Sequence, residues 1–324
     1  MGSDSDSLLF QKLKQYRQYI FKSHAQYTLG AYLENWIKQI VYIRPNKPTK
    51  YTAVIIEDRP GELVRFSIYN TLLMSKLRLK IILFTTHDSF KRMQDIFSDL
   101  KHWVEVRELN SINKDIKKIN TLNYNQILKS INFWEMLPTR NILIFQTDAL
   151  LIEPIDFTMF NYDYIGSPFS NNKYLSTSFP QINETSNNDI VDKWVTQIFN
   201  KSVPIPDSVL LGNGGLSIRN RDVMIEICGN EYSTDIENED IYFSRLIKSY
   251  SKNIVPFDVA KRFSCESAYF KSIGAHASYL YLTKEQQAEI YERHIKHVFA
   301  LTDLSIDCDF FNEEIAEDDE RQND

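Results

Sequence analysis

NILIFQTDALLIEP, residues 141–154, is the stretch whose reading decides the fold. Residues 142–146 form a short, mostly apolar run flanked by a turn, too short for a self-standing helix, and so read as a buried strand. Asp148 sits just past its end. Open α/β sheets bind ligands at the ends of such strands, where a carboxylate can hold a divalent cation against a phosphate. An aspartate that only shapes a turn would look the same.

Working upstream, TAVIIEDRPGEL places a strand over 53–56 that releases into the charged turn Glu57, Asp58, Arg59, Pro60 and Gly61. Residues 63–75 carry apolar side chains at helical spacing, and 80–85 (KIILFT) is a second strand. Residues 89–100 are a second helix with Ser89 as its N-cap, and 104–109 a third strand. From Tyr124, the positions Ile127, Leu128, Ile131, Trp134 and Leu137 predict one helix that Pro138 stops, with Trp134 as a core anchor. This βαβαβ alternation predicts a mostly parallel sheet with helices on both faces, a common nucleotide-binding architecture.

Before it, residues 8–41 are helical, with Gly30 dividing them into two helices that pack on the main domain or serve as an oligomerisation arm. Pro45 and Pro48 then break the pattern as a linker would. Downstream, 163–168 (DYIGSP) is another short strand and turn, and the polar segment 171–207 reads as a substrate lid or a tolerated insertion. Residues 210–219, LLGNGGLSIR, cluster Gly212, Asn213, Gly214 and Gly215, which suits either close approach of a ligand or a strained turn. Asn220 caps a helix closed by Gly229. Asn238 caps the next helix, with Glu239 and Asp240 in its first turn, where they also suit the helix dipole. A last helix covers 284–300, and the acidic tail 313–324 has the composition of a disordered segment.

The chain of 324 residues fits one enlarged α/β domain. Its net charge of -6 argues against nucleic acid as a partner, because phosphate-backbone binding needs a concentrated basic surface. Cys228, Cys265 and Cys308 are odd in number, well separated and lack CxxC spacing, so neither a disulfide framework nor a zinc site is indicated and a reducing compartment suits them. There is no basic region followed by an apolar core at the N-terminus, and no apolar run near the roughly 20 residues that span a bilayer. A soluble, cytoplasmic protein is the expectation.

Taken together, AVIIEDRP, IFQTDALL, DYIGSP, LGNGGLSIR, NEDIYFSRL, FSCE and GAH, in that order over residues 53–276, resemble DUF5672, a family of glycosyltransferases with a GT-A-like fold. The resemblance implies a Rossmann-like, mostly parallel central sheet. Residues 1–50 would be an N-terminal helical extension, 51–282 the transferase domain, and 283–324 a C-terminal helix and acidic tail. GT-A enzymes use a DxD motif to bind Mn²⁺ or Mg²⁺, which holds the nucleotide-sugar diphosphate. Here the triplet is Gln146, Thr147 and Asp148, with glutamine replacing the first aspartate, so Asp148 and a late histidine, His276, would be the metal ligands.

The same resemblance makes Asp240, and second to it Glu239, the base that takes a proton from the acceptor hydroxyl, with inversion at the anomeric carbon. Asn213, Gly214 and Gly215 would lie along the donor sugar or acceptor, and Arg59 and Glu57 would line the nucleotide pocket. Arg219 and Lys261 are weaker phosphate candidates beside a reading as solvated charges or local ion pairs. The implied activity is hexosyl transfer from a nucleotide-sugar donor, a UDP-sugar first, to a glycan or other hydroxyl acceptor. The alternatives are an inactive relative that binds sugar nucleotide or glycan, suggested by Gln146, and a sugar nucleotidyltransferase.

Overall fold

The computed structural model describes residues 3–44, 49–112, 116–168, 211–233 and 237–302. The expected linker prolines, the lid, Cys308 and the acidic tail lie outside the described residues. The sheet is built from β1 (Tyr51–Ile56), β2 (Leu79–Thr85), β3 (Val104–Glu108), β4 (Asn141–Phe145), β6 (Tyr164–Pro168) and β7 (Leu211–Asn220), while β5 (Ala149–Leu151) stands apart. Its strand order is β3-β2-β1-β4-β7-β6. The first four strands are parallel, and β7 runs antiparallel to both β4 and β6. This is the expected mixed, mostly parallel sheet.

Both faces are covered, which explains why β1, β2 and β4 are apolar almost without interruption. Because side chains alternate along a strand, Ala53, Ile55, Ile81, Leu83, Leu143 and Phe145 enter one core, and Val54, Ile56, Ile82, Phe84, Ile142 and Ile144 the other. The first core is closed by α1 (Ser3–Thr28), α2 (Glu34–Ile40), α3 (Glu62–Met74) and the long helix over Lys284–Thr302. The second is closed by α5 (Thr121–Leu128), α6 (Ile131–Glu135), α7 (Arg221–Asn230) and α8 (Glu239–Tyr250); α4 (His87–Ile96) lies between β2 and β3 in the chain.

Several local expectations are corrected. Gly30 does not divide the N-terminal helix; it sits in a π-helical turn, Leu29–Leu33, that joins α1 to α2 without a break. Ser89 lies inside α4, behind the N-cap Thr86, and donates its hydroxyl to the Asp58 carbonyl at 2.5 Å. The single helix expected before Pro138 is two, because the chain leaves helical geometry at Ser130. Trp134 is fully buried as expected, its Nε1 donating to the Leu128 carbonyl at 2.7 Å. The glycine cluster is no turn: it belongs to β7, and no glycine among the described residues has a left-handed φ.

Two more helices, α9 (Phe257–Phe263) and α10 (Ser278–Tyr281), complete the fold with β8 (Ser264–Cys265) and β9 (Gly274–His276). The helix Lys284–Thr302, α11, returns to α1 and α3 through a buried hydrogen-bond chain. Asn70 is held in one orientation, its Oδ1 accepting from the Leu151 amide and its Nδ2 donating to the Leu151 carbonyl, both at 3.0 Å. Its Nδ2 also lies 2.8 Å from His294 Nε2, whose Nδ1 lies 2.9 Å from His24 Nε2. An amide nitrogen can only donate, so His294 carries its proton on Nδ1 and gives that hydrogen to His24. Among the described residues no helix is long and apolar enough to cross a membrane.

Candidate functional site

The carboxyl ends of β1 and β4 open onto one edge of the sheet. Because β7 is antiparallel, its first residues reach the same edge: Leu216 is opposite Phe145, and the Gln146 amide donates to the Gly215 carbonyl at 2.9 Å. The small sheet β5-β9-β8 then sets Ala149 opposite His276, while the Ala277 amide donates to the Asp148 carbonyl at 3.1 Å. Strand register thus joins Asp148 and His276 across the chain. Ala277 itself is left-handed at φ 44°, a strained conformation for a residue with a side chain, at the sharp turn into α10.

Three donors converge here. His276 Nε2 lies 3.1 Å from Gln146 Oε1 and 3.3 Å from Asp148 Oδ1. On the far side of the ring, Nδ1 lies 3.2 Å from Glu266 Oε1. Burial pulls the imidazole pKa down, but the charge and hydrogen bond of Asp148 and the Glu266 contact outweigh it and push His276 up to about 10. Burial likewise raises Asp148, yet the charge and hydrogen bond of His276, a backbone hydrogen bond and Arg59 together hold it below its ordinary range. The Asp148 side chain keeps 31% of its surface open, so the pair is reachable from solvent.

Among the described residues no three of His, Cys, Asp and Glu gather as a metal cluster. The third donor is instead the amide oxygen of Gln146, a type of ligand that hard divalent cations accept. One carboxylate and one amide oxygen are ligand types that Mn²⁺ or Mg²⁺ accepts, and the imidazole nitrogen could join them for Mn²⁺ once the cation displaces its Nε2 hydrogen, with coordination positions left for phosphate and water.

At the end of β1, Glu57 is buried and its Oε1 accepts from the backbone amides of Asp58 and Arg59, at 3.0 and 2.8 Å. Arg59 closes a two-point pair on it, Nε to Oε1 at 2.8 Å and Nη2 to Oε2 at 2.7 Å, and Thr147 Oγ1 adds a 3.3 Å contact. Glu57 is therefore the anchor of Arg59. Arg59 keeps 78% of its side chain exposed.

On the other flank, Arg219 is no solvated charge. It is fully buried and pairs with Glu239 through Nη1 at 2.6 Å and Nη2 at 3.0 Å, among the rings of Trp134, Tyr164 and Phe243. The carboxylate of Glu239, the second candidate base, is thus paired with that guanidinium. Asp240 accepts from the Ile241 amide at 2.8 Å and meets the Gly214 amide at 3.4 Å. Lys261 pairs with Asp258 at 2.8 Å, one turn away on α9.

The three residues expected along the sugar or acceptor also make internal contacts. A methyl group on Gly214 would overlap Glu239 and Arg219, and one on Gly215 would overlap the His276 ring. Asn213 donates from Nδ2 to Glu266 Oε1 at 2.8 Å and accepts from the Gly215 amide at 3.0 Å. Sequence reasoning gave no role to Glu266 or Tyr124. Glu266 was visible only inside FSCE; Tyr124 was an ordinary apolar position, yet its buried hydroxyl is pushed upward by desolvation and by the charge of Glu239.

No curated protein matches the chain in sequence. Among solved structures, it is similar to the mannosyltransferase PcManGT from Pyrobaculum calidifontis, solved with GDP-Man and Mn²⁺, at 12% identity and TM-score 0.39 over 76% of this chain and 67% of that one. It is also similar to the apo form of the glycosyltransferase GlyE from Streptococcus pneumoniae TIGR4, at 10% identity and TM-score 0.39 over 82% of this chain and 64% of that one. At this distance neither activity transfers by likeness. The model of a protein family of unknown function, DUF5672, matches residues 105–279. That is a shorter span than the motifs suggested, since AVIIEDRP precedes it, yet it covers more than half of the 324 residues. The chain belongs to the DUF5672 family.

Proposed function

We propose that this chain is a glycosyltransferase that moves a sugar from a nucleoside-diphosphate donor, a UDP-sugar in the first instance, to a hydroxyl of a glycan or other acceptor. The observation that carries this reading is the convergence of Gln146 Oε1 and Asp148 Oδ1 on His276 Nε2, at 3.1 and 3.3 Å, at the carboxyl ends of the parallel strands of a mixed sheet. Asp148, Gln146 and His276 would hold Mn²⁺ or Mg²⁺. The cation, when bound, supplies positive charge against the departing diphosphate.

Arg59, held by Glu57 with its guanidinium exposed, is placed to meet a phosphate oxygen. Asp240, set by the first turn of α8 against Gly214, takes the proton of the acceptor hydroxyl. Direct attack by that hydroxyl inverts the anomeric configuration.

The test is calorimetric titration with UDP, GDP and their sugar conjugates, with and without Mn²⁺, on the wild type and Asp148→Ala. Metal-dependent binding of one conjugate that the variant loses supports the donor site; no binding by folded protein sinks it. Gln146 in place of a carboxylate favours a second reading, a sugar-nucleotide binder without transfer, which the same protein would reveal by binding donor while releasing no nucleoside diphosphate to any acceptor.

A further inference from the structure

Glu266 is only 5% exposed and meets the imidazole at Nδ1, on the opposite side of the ring from Asp148. An unprotected carboxylate in such a place is costly unless something holds it. Two groups do: Asn213 Nδ2, which donates at 2.8 Å, and His276 Nδ1, at 3.2 Å. His276 Nδ1 is itself fully buried and makes no well-aligned hydrogen bond; the charged oxygen beside it is Glu266 Oε1, at 3.2 Å, so a small rotation of the ring or the carboxylate closes the bond.

We propose that Glu266 is a positioning residue for the cation site: it holds the hydrogen of His276 Nδ1 and thereby aims Nε2 at Gln146 and Asp148. This rests on the metal-assisted reading above and deepens it. Metal-bound histidines characteristically give their other ring hydrogen to a carboxylate, which fixes the tautomer and the ring plane and makes the ligating nitrogen more basic. Asp148 and Gln146 Oε1 accept at Nε2 as Glu266 does at Nδ1, so the metal-free ring carries both hydrogens; a cation would take the place of the Nε2 hydrogen, while the Glu266 side keeps its own.

Two further contacts secure the arrangement. Asn213 is locked by the Gly215 amide at 3.0 Å, which ties Glu266 to β7. Gly215, lacking a side chain, leaves the space the imidazole fills. The site thus has two carboxylates, Asp148 facing the donor set directly and Glu266 acting through the ring. Glu266 supplies the second negative charge that Gln146 does not.

The experiment is a Mn²⁺ titration, read by calorimetry and by the loss of the free-ion electron paramagnetic resonance signal, on the wild type, Glu266→Gln, His276→Ala and the double variant. Glu266→Gln keeps the volume and can still bond Asn213, and its thermal midpoint without metal reports whether it folds. Expected is a roughly 10- to 100-fold weaker Mn²⁺ affinity in Glu266→Gln. In the His276→Ala background the same change should shift affinity less than about twofold, because neighbours acting through one group do not add. Wild-type affinity in folded Glu266→Gln, or an equal loss in both backgrounds, overturns the role of Glu266 alone. Absence of Mn²⁺ binding by the wild type, with and without UDP, overturns the cation site itself and this inference with it.

Discussion

Arg219 grips Glu239 with two guanidinium nitrogens, at 2.6 and 3.0 Å, in a compartment where neither side chain reaches solvent. Desolvation disfavours the charged guanidinium, but Glu239 more than compensates and holds it firmly protonated. The pair also walls in Gly214, whose carbonyl accepts from Arg219 at 3.4 Å. Removing one partner strands the other charge in the core. Arg219→Met or Glu239→Gln is therefore expected to cost about 3–5 kcal/mol in urea denaturation, and the double variant Arg219→Met/Glu239→Leu to regain most of it. Equal losses in single and double variants would count against a mutually dependent pair.

Asp240 has a different expected profile from its neighbour. Asp240→Asn should lower the turnover of donor and acceptor by about 10²–10⁴-fold, as loss of a general base does, with donor affinity changed less than about twofold. Steady-state kinetics beside donor titration check this. A variant that binds donor poorly but turns over normally would assign Asp240 to binding instead.

Gly215→Ala should remove Mn²⁺ binding while leaving most of the fold intact. The added methyl overlaps the His276 ring, so the imidazole must leave its position. Overpacking of this kind costs about 1–3 kcal/mol. Thermal unfolding gives the stability cost and Mn²⁺ titration the site; unchanged Mn²⁺ affinity would show that His276 is not a ligand.

The buried histidines couple stability to pH. Desolvation lowers His24 to about 4, and His294 lies well below its ordinary value through burial and the neighbouring His24 and His297. Both folded values lie under the unfolded value near 6.5, so the unfolded chain takes up protons first. The stability they contribute is complete above pH 6.5 and is lost as pH falls toward 4. The slope is up to about 1.4 kcal/mol per pH unit for each histidine. Urea midpoints between pH 7.5 and 5 measure it, and His24→Gln/His294→Gln should flatten the slope between pH 6.5 and 5.

What could be read from sequence follows from how local the cause is. β1, β2 and β4 were legible because strands covered on both faces must be apolar throughout. The glycines of β7 were not, because their reason lies in Glu239, Arg219 and the His276 ring, which reach them only after folding. Ser89 looked like a helix cap, but its hydroxyl serves a carbonyl in the loop after β1. Asp148 stood out at a strand end, whereas its pairing with His276 depends on β5 meeting β9, a register no local pattern announces. Glu266 carried no signal of its own.

The strand order has a consequence for where this protein can be cut. In space β2 and β1 lie between β3 and β4, yet both precede residue 105 in the chain. The segment that the family shares in sequence, 105–279, therefore begins inside β3 and lacks the two strands that join β3 to the rest of the sheet. Expressed by itself it would present β4 as a bare apolar edge, its parallel hydrogen-bond partner gone, and such edges recruit other chains. The unit of recognition in sequence is smaller than the unit that folds.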